Sequence, residues 1–276
     1  MGRISRGWEL TKTSWAVLRS DGALAVFPIL AALASICLAA AFGLPSWALF
    51  DHDQNVVAVI LAAIGIYALT FAGVFFNVAL AAAAAQVLDG QDATVASGLA
   101  VARTRLGAIS GWAAMVASVN IIIRGLAERA GPLGDLLLGG IAVAWNLVTF
   151  LAVPVIALEG TGPIDTLKRS AGIFRERWGE QITGQVSIGG IVFLAALIPA
   201  VILILIGTAI GSVGMGILIG LAVVILIVAA IISTALSQIF AVALYRYAVG
   251  EGATGRFTEQ ELSTAVRPRG QPGGTI

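Results

Sequence analysis

Side chains that carry chemistry are scarce in this chain. The one histidine, His52, stands in a short loop, Asp51-His52-Asp53, between two apolar runs. A single imidazole cannot build an HExxH zinc site or a His-rich metal site, and in that loop it is misplaced for a Ser–His relay at membrane depth. The one cysteine, Cys37, is set in an apolar run, where it reads as a small packing residue, and no disulfide within the chain can form. The carboxylates Glu159, Asp165, Glu176 and Glu180 fall close together, but no histidine or metal-ligand set accompanies them. The expectation is therefore no catalytic residue, no cofactor and no metal, and a protein that is not an enzyme.

Glycine motifs add no chemistry. Asp89-Gly90 with Ala102-Arg103 is similar to the opening of the membrane alcohol-phosphotransferase signature, but that motif places Ala-Arg three residues after the glycine, and here the spacing fails. Gly107/Gly111, Gly207/Gly211 and Gly216/Gly220 read as small-xxx-small contacts, within the chain or between copies of a homo-oligomer. The cluster with the best functional claim is basic: Lys168, Arg169, Arg175 and Arg177, beside Trp178 and flanked by Glu159 and Glu180. Four bases near a bilayer surface attract anionic lipid at roughly 1 kcal/mol each. The residues expected to contact such lipid are Lys168, Arg169, Arg175, Arg177 and Trp178; the competing reading is that they only pin a surface helix and set its orientation. Deeper in the apolar segments, Arg124 reads as snorkelling to an interface. Asn77, Gln86, Asn120, Asn146, Thr149, Ser233, Thr234 and Gln238 either line a path or join helices by hydrogen bonds.

Those residues need elements to position them, and composition dictates what kind. Of 276 residues, 59% are hydrophobic and 11% charged, against about 25% charged in soluble domains, so lipid must be the solvent for most of the chain. Uncharged stretches run Gly22 to Phe50, Gln54 to Leu88, Leu106 to Ile123, Leu136 to Leu158 and Gln181 to Tyr245. They do not alternate, which excludes a barrel, and a helix needs about 20 apolar residues to span the hydrocarbon core. The last stretch is long enough for two crossings if the chain turns in its glycine-rich middle, Gly207 to Gly216. The expected fold is all-α: a polytopic bundle of six transmembrane helices near 23–49, 55–87, 107–127, 135–158, 182–210 and 214–248, forming one domain over 1–249, with a cytoplasmic, partly disordered tail over 250–276. Pro28, Pro154 and Pro199 are candidate kink sites.

Charge sets the expected orientation. With the N-terminus inside, every lysine and arginine except Arg124 and Arg129 falls on the inner side, and the first outer loop has neither. Positively charged loops stay cytoplasmic, so both termini are expected in the cytoplasm, in a plasma (inner) membrane. The first apolar run exceeds a signal-peptide core, and Arg6 stands where N-myristoylation wants Ser or Thr. The inner segments before helices 1, 3 and 5 share a design. Apolar residues recur at helical spacing as Ile4, Trp8, Trp15 and Leu18; as Val95, Leu99, Ala102 and Leu106 behind a Thr94 cap; and as Ile164, Leu167, Ala171, Phe174 and Trp178 after Pro163. Leu88-Asp-Gly90 parallels Leu158-Glu-Gly160, and Arg103-Thr-Arg105-Leu-Gly107 parallels Arg175-Glu-Arg177-Trp-Gly179. The reading is three repeats of an interfacial amphipathic helix followed by a transmembrane hairpin.

Arg6-Gly-Trp8, Ser14-Trp15, Phe27-Pro28, Pro154, Glu159-Gly160, Pro163, Arg169-Ser170-Ala171, Phe174-Arg175 and Trp178-Gly179-Glu180 resemble an uncharacterised family of six-helix prokaryotic membrane proteins. The Glu-Gly, Pro, Arg-Ser pattern is also distantly similar to the membrane-anchor domain of some glycerophosphodiester phosphodiesterases. The resemblance implies the six-helix architecture and no activity. The expected partners are membrane lipids and no nucleic acid. The expected role is organising lipid or partner proteins at the inner leaflet, with a small-solute or lipid transporter as the alternative.

Overall fold

The computed structural model describes residues 3–52, 54–178, 188–210, 212–253, 255, 257–259 and 262, and the described residues form no strand. Helix α1 (Arg3–Ser20) precedes a rod made of α2 (Ala23–Leu38), a π-type turn (Ala39–Gly43) and α3 (Leu44–Asp51). Pro45 explains the turn, because it has no N–H for the carbonyl one turn back. Helix α4 (Asn55–Leu88) returns beside that rod; a Cβ on Gly65 would lie 2.6 Å from the Phe42 Cβ. Short α5 (Val95–Thr104) leads to α6 (Leu106–Thr149), α7 (Ala152–Leu158) and α8 (Pro163–Trp178), and α9 (Ile188–Ile210) is followed by α10 (Ser212–Val249).

Helical residues follow one another without a gap from Leu106 to Thr149, but they do not form one straight helix: two apolar spans, Leu106–Ala127 and Leu138–Leu158, lie within or run on from them. They form a hairpin. Trp112 and Trp145 stack with ring centroids 6.4 Å apart, whereas a straight helix would hold them about 50 Å apart. The chain therefore doubles back between them. Where the returning arm meets Pro154, which offers no N–H to the Phe150 carbonyl, helix is interrupted at Phe150 and Leu151. Pro28 and Pro199 stay inside α2 and α9. The glycine-rich turn falls where expected: Gly207 of α9 lies against Met215 and Leu218 of α10.

Five segments are long and apolar enough to cross a membrane: Ala23–Asp51, Asn55–Leu88, Leu106–Ala127, Leu138–Leu158 and Met215–Val249. In α9 the corresponding stretch among the described residues, Ala195–Gly207, is shorter. The chain is thus an all-α polytopic bundle, with five membrane-length segments among its described residues.

Packing is uneven along the bundle. The core gathers at the end where α1, α5 and α8 lie, from Leu24 and Phe27, Val78 to Leu88, Ile109, Leu151 to Ala157 and Ala235 to Ala248. The alanine run of α4, Ala81 to Ala85, lets neighbouring backbones approach closely. Towards the other end the same helices turn large apolar side chains outward, including Leu33, Ile36, Val56, Ile60, Ile122, Leu221 and Val224. In water that surface would be a severe liability; in hydrocarbon it is ordinary solvent contact.

Helix α5 packs the face that its spacing marks, with Ala102 buried and Val95 and Leu99 against the core, whereas on α1 and α8 spacing does not tell the side that meets protein from the side left to lipid. Among the described side chains of α1, Leu10, Thr11, Ser14, Val17 and Leu18 are buried, while Trp15 is exposed with the Arg19 guanidinium 6.0 Å over its ring. Among those of α8, Thr166, Ser170 and Ile173 are buried, while Ile164 is 63% exposed. The buried hydroxyls differ in what they meet: Ser14 Oγ has no hydrogen-bond partner among the described residues, and Thr166 bonds Thr161 with the two hydroxyls 2.8 Å apart. Ser170 Oγ donates to the Val148 carbonyl at 2.5 Å, beside the interruption before Pro154. Beyond α10, Phe257 and Leu262 of the tail are buried, and Phe257 packs on Phe240.

Candidate functional site

Helices α4 and α7 end on an acidic residue followed by a glycine with positive φ, Asp89-Gly90 (74°) and Glu159-Gly160 (70°), and α10 ends on the reverse order, Gly250-Glu251 (93°). Such a glycine closes a helix at no steric cost and ties up its last carbonyls. Gln91 N–H donates to the Gln86 carbonyl, and Glu251 N–H to the Arg246 carbonyl.

These ends meet in a polar layer around Tyr245 and Arg246 of α10. Arg246 donates to both carboxylate oxygens of Asp89, through Nη1 to Oδ1 and through Nη2 to Oδ2 at 2.8 Å, and its Nε lies 3.6 Å from Glu251 Oε2. Glu159 Oε1 accepts from Tyr245 Oη at 2.5 Å and from Arg169 Nε at 2.9 Å. The hydrogen bond from Arg246, helped by its charge, holds the Asp89 carboxyl below the usual carboxylate range. The bond to Glu159 keeps the Arg169 guanidinium more firmly protonated. Arg105, at the junction of α5 and α6, lays its guanidinium directly on Gly160; a Cβ there would fall 2.1 Å from Nη1. Asp21 joins the layer by capping Ala23 N–H at 2.9 Å and accepting from Ala93 N–H at 3.1 Å.

The five residues expected to contact anionic lipid are divided by the fold. Lys168 and Arg175 are exposed on α8, whereas Arg169 points to Glu159. Arg177 and Trp178 end the α8 backbone, and their side chains lie outside the described residues, as does Glu180. Residues 164, 168, 171 and 175 recur at helical spacing, so Lys168, Arg175 and exposed Ile164 share one outward stripe. Arg19 on α1 and Arg103 on α5 are exposed at the same end of the bundle, and Arg124 is exposed on the first arm of α6.

A second feature lies within the bundle, a half-open cleft of about 250 Å3 between α2, α4 and α10. Of the polar residues singled out from the sequence it gathers Asn77 and Thr234, and it adds Ser35. Others serve elsewhere: Gln86 Oε1 accepts from Ser97, and Thr149 donates to the Trp145 carbonyl. The polar layer was not foreseen as a unit. Its one sequence signal was the parallel of Leu88-Asp-Gly90 with Leu158-Glu-Gly160; nothing local to Tyr245-Arg246 says that it bridges both.

No curated protein and no solved structure matches the chain, so the likeness to the phosphodiesterase anchor domain rests on its short motif alone. What does match is a family description over residues 54–256, which takes in α5, α8 and every residue of the polar layer except Asp21: the chain belongs to the Family of unknown function (DUF6159).

Proposed function

We propose that this protein is a non-enzymatic, six-span protein of the plasma (inner) membrane that gathers anionic lipid, and proteins attracted to it, at the cytoplasmic leaflet. The observation that carries the reading is the outward stripe of α8, where Lys168 and Arg175 flank an Ile164 that is 63% exposed. An apolar side chain between two bases on one face suits the boundary between headgroups and acyl chains. The Glu159–Arg169 pair and the Ser170–Val148 bond hold α8 against the bundle with that stripe outward. The bias of lysine and arginine supports cytoplasmic termini.

Native mass spectrometry of protein released from its own membrane, with lipidomics of what stays bound, tests this. Retention of an anionic lipid class, reduced about ten-fold when Lys168→Gln and Arg175→Gln are combined, is the expected outcome; two bases at about 1 kcal/mol each, less some compensation, give that size. Arg169→Gln should instead loosen α8. Equal retention of neutral and anionic lipids, unchanged in the double variant, refutes the reading.

A second reading, a small-solute or lipid transporter, is favoured by the cleft between α2, α4 and α10. It requires flux of a solute or lipid across vesicles that stops when the cleft is filled.

A further inference from the structure

The cleft is lined by Phe27, Pro28, Ala31, Ala32 and Ser35 of α2, Phe76 and Asn77 of α4, and Ala230, Ile231 and Thr234 of α10. No ionisable side chain is among them, so a charged ligand would enter unpaired, at a cost of several kcal/mol. Its three polar side chains share one depth. Ser35, Asn77 and Thr234 each stand twelve residues from the polar-layer end of their helices, at Ala23, Asp89 and Arg246 respectively, or about 18 Å along the axis. That is near the middle of a hydrocarbon core about 30 Å thick. Thr234 already donates to the Ala230 carbonyl at 2.9 Å. Among the described residues, neither the Asn77 amide nor the Ser35 hydroxyl has a hydrogen-bond partner. An amide left unpaired in hydrocarbon costs several kcal/mol, so a cleft that presents one calls for an occupant with hydrogen-bonding groups. The flanking positions Ile29, Leu33 and Ile36 of α2 and Ile227 and Val228 of α10 are exposed, which makes the approach lipid.

We infer that this cleft binds a neutral amphiphile from the bilayer, whose uncharged hydroxyl or carbonyl group hydrogen-bonds Asn77 and Ser35 while its hydrocarbon chain lies along the α2/α10 rim. The inference goes beyond both functional readings, because a resident amphiphile requires neither anionic-lipid binding by α8 nor transport.

The test uses the full-length protein in nanodiscs of neutral lipid and two photoreactive probes, a diazirine-bearing hexadecanol and a diazirine-bearing hexadecane. The alcohol should label peptides of α2, α4 and α10 around residues 27–35, 76–77 and 230–234 about five-fold more than the hydrocarbon does, the worth of one hydrogen bond. Ala31→Phe, which fills the cleft, should abolish the excess, and Asn77→Leu, which removes the amide without filling it, should bring the alcohol down to the hydrocarbon's level. Equal labelling by the two probes, as for a cleft filled by acyl tails or water, overturns the inference. So does an excess that survives both variants. Unchanged thermal unfolding of Asn77→Leu keeps a folding defect from imitating the expected result.

Discussion

Arg246 and Asp89 show how much depends on which partner of an ion pair is buried. The Arg246 side chain is 9% exposed and that of Asp89 43%. Removing the arginine leaves a carboxylate that water can serve, whereas Asp89→Asn leaves a buried guanidinium without its main counter-charge. Asp89→Asn should therefore lower stability in detergent by about 1–3 kcal/mol, and by more than Arg246→Met does. The pair also predicts a pH dependence. Because Arg246 lowers the Asp89 pKa in the folded state, the stabilisation is complete above the ordinary value of about 4 and is lost as pH falls through the lowered one. Solvent on the open side of Asp89 limits this to about 1 kcal/mol. Melting curves between pH 7 and pH 2 should flatten by that amount in Asp89→Asn; identical slopes would show that the pair is not the titrating element. Gly160 makes a separate case. Gly160→Ala forces a side chain into a left-handed backbone, at roughly 1–2 kcal/mol, and also drives Arg105 away. Gly90→Ala meets the backbone cost alone, since nothing lies within 4 Å of its Cβ position, so the melting point should drop further for Gly160→Ala.

At the scale of elements, the existence and order of the helices were legible in the sequence, because runs without charge and capping residues are local signals. Thr94 caps α5 as its type and place suggest, in a reciprocal capping box with Ser97. The buried faces were harder to read. Apolar spacing does not say which residues meet protein and which meet lipid: Trp15 and Ile164 stay exposed, while Ser14, Thr166 and Ser170 are buried. A periodicity rule assumes that the inside is apolar and the outside wet; a helix lying between lipid and membrane-helix backbones obeys neither condition. Docking of α5 depends instead on closeness: a Cβ on Gly98 would fall 2.6 Å from both the Ala79 carbonyl oxygen and the Phe27 Cζ. A backbone oxygen cannot step aside, so Gly98→Ala should displace α5. Limited proteolysis in the Gly90-to-Thr94 loop should then accelerate several-fold, whereas Thr94→Ala, which removes one cap at about 1 kcal/mol, should accelerate it less. Equal rates for Gly98→Ala and the unaltered protein would mean that α5 does not sit on α2 and α4.

For the molecule as a whole, the same asymmetry that concentrates polar bonds at one end decides which leaflet it can serve. The α1/α5/α8 end carries the exposed bases Arg19, Arg103, Lys168 and Arg175; the opposite end carries the short Asp51-to-Gln54 connection and broad apolar surface. Bases resist translocation, so the basic end should stay in the cytoplasm, where anionic lipid gives them a partner. In a Cys37→Ser background, His52→Cys should react with a membrane-impermeant maleimide on intact cells. Asp92→Cys, exposed in the loop between α4 and α5, should react only after permeabilisation. The opposite pattern would put Lys168 and Arg175 on the outer face and remove the cytoplasmic leaflet as their partner, and the reading of α8 would fall with it. The amphiphile cleft would survive that result, because its three polar side chains lie at mid-depth and its lining has no charge to orient.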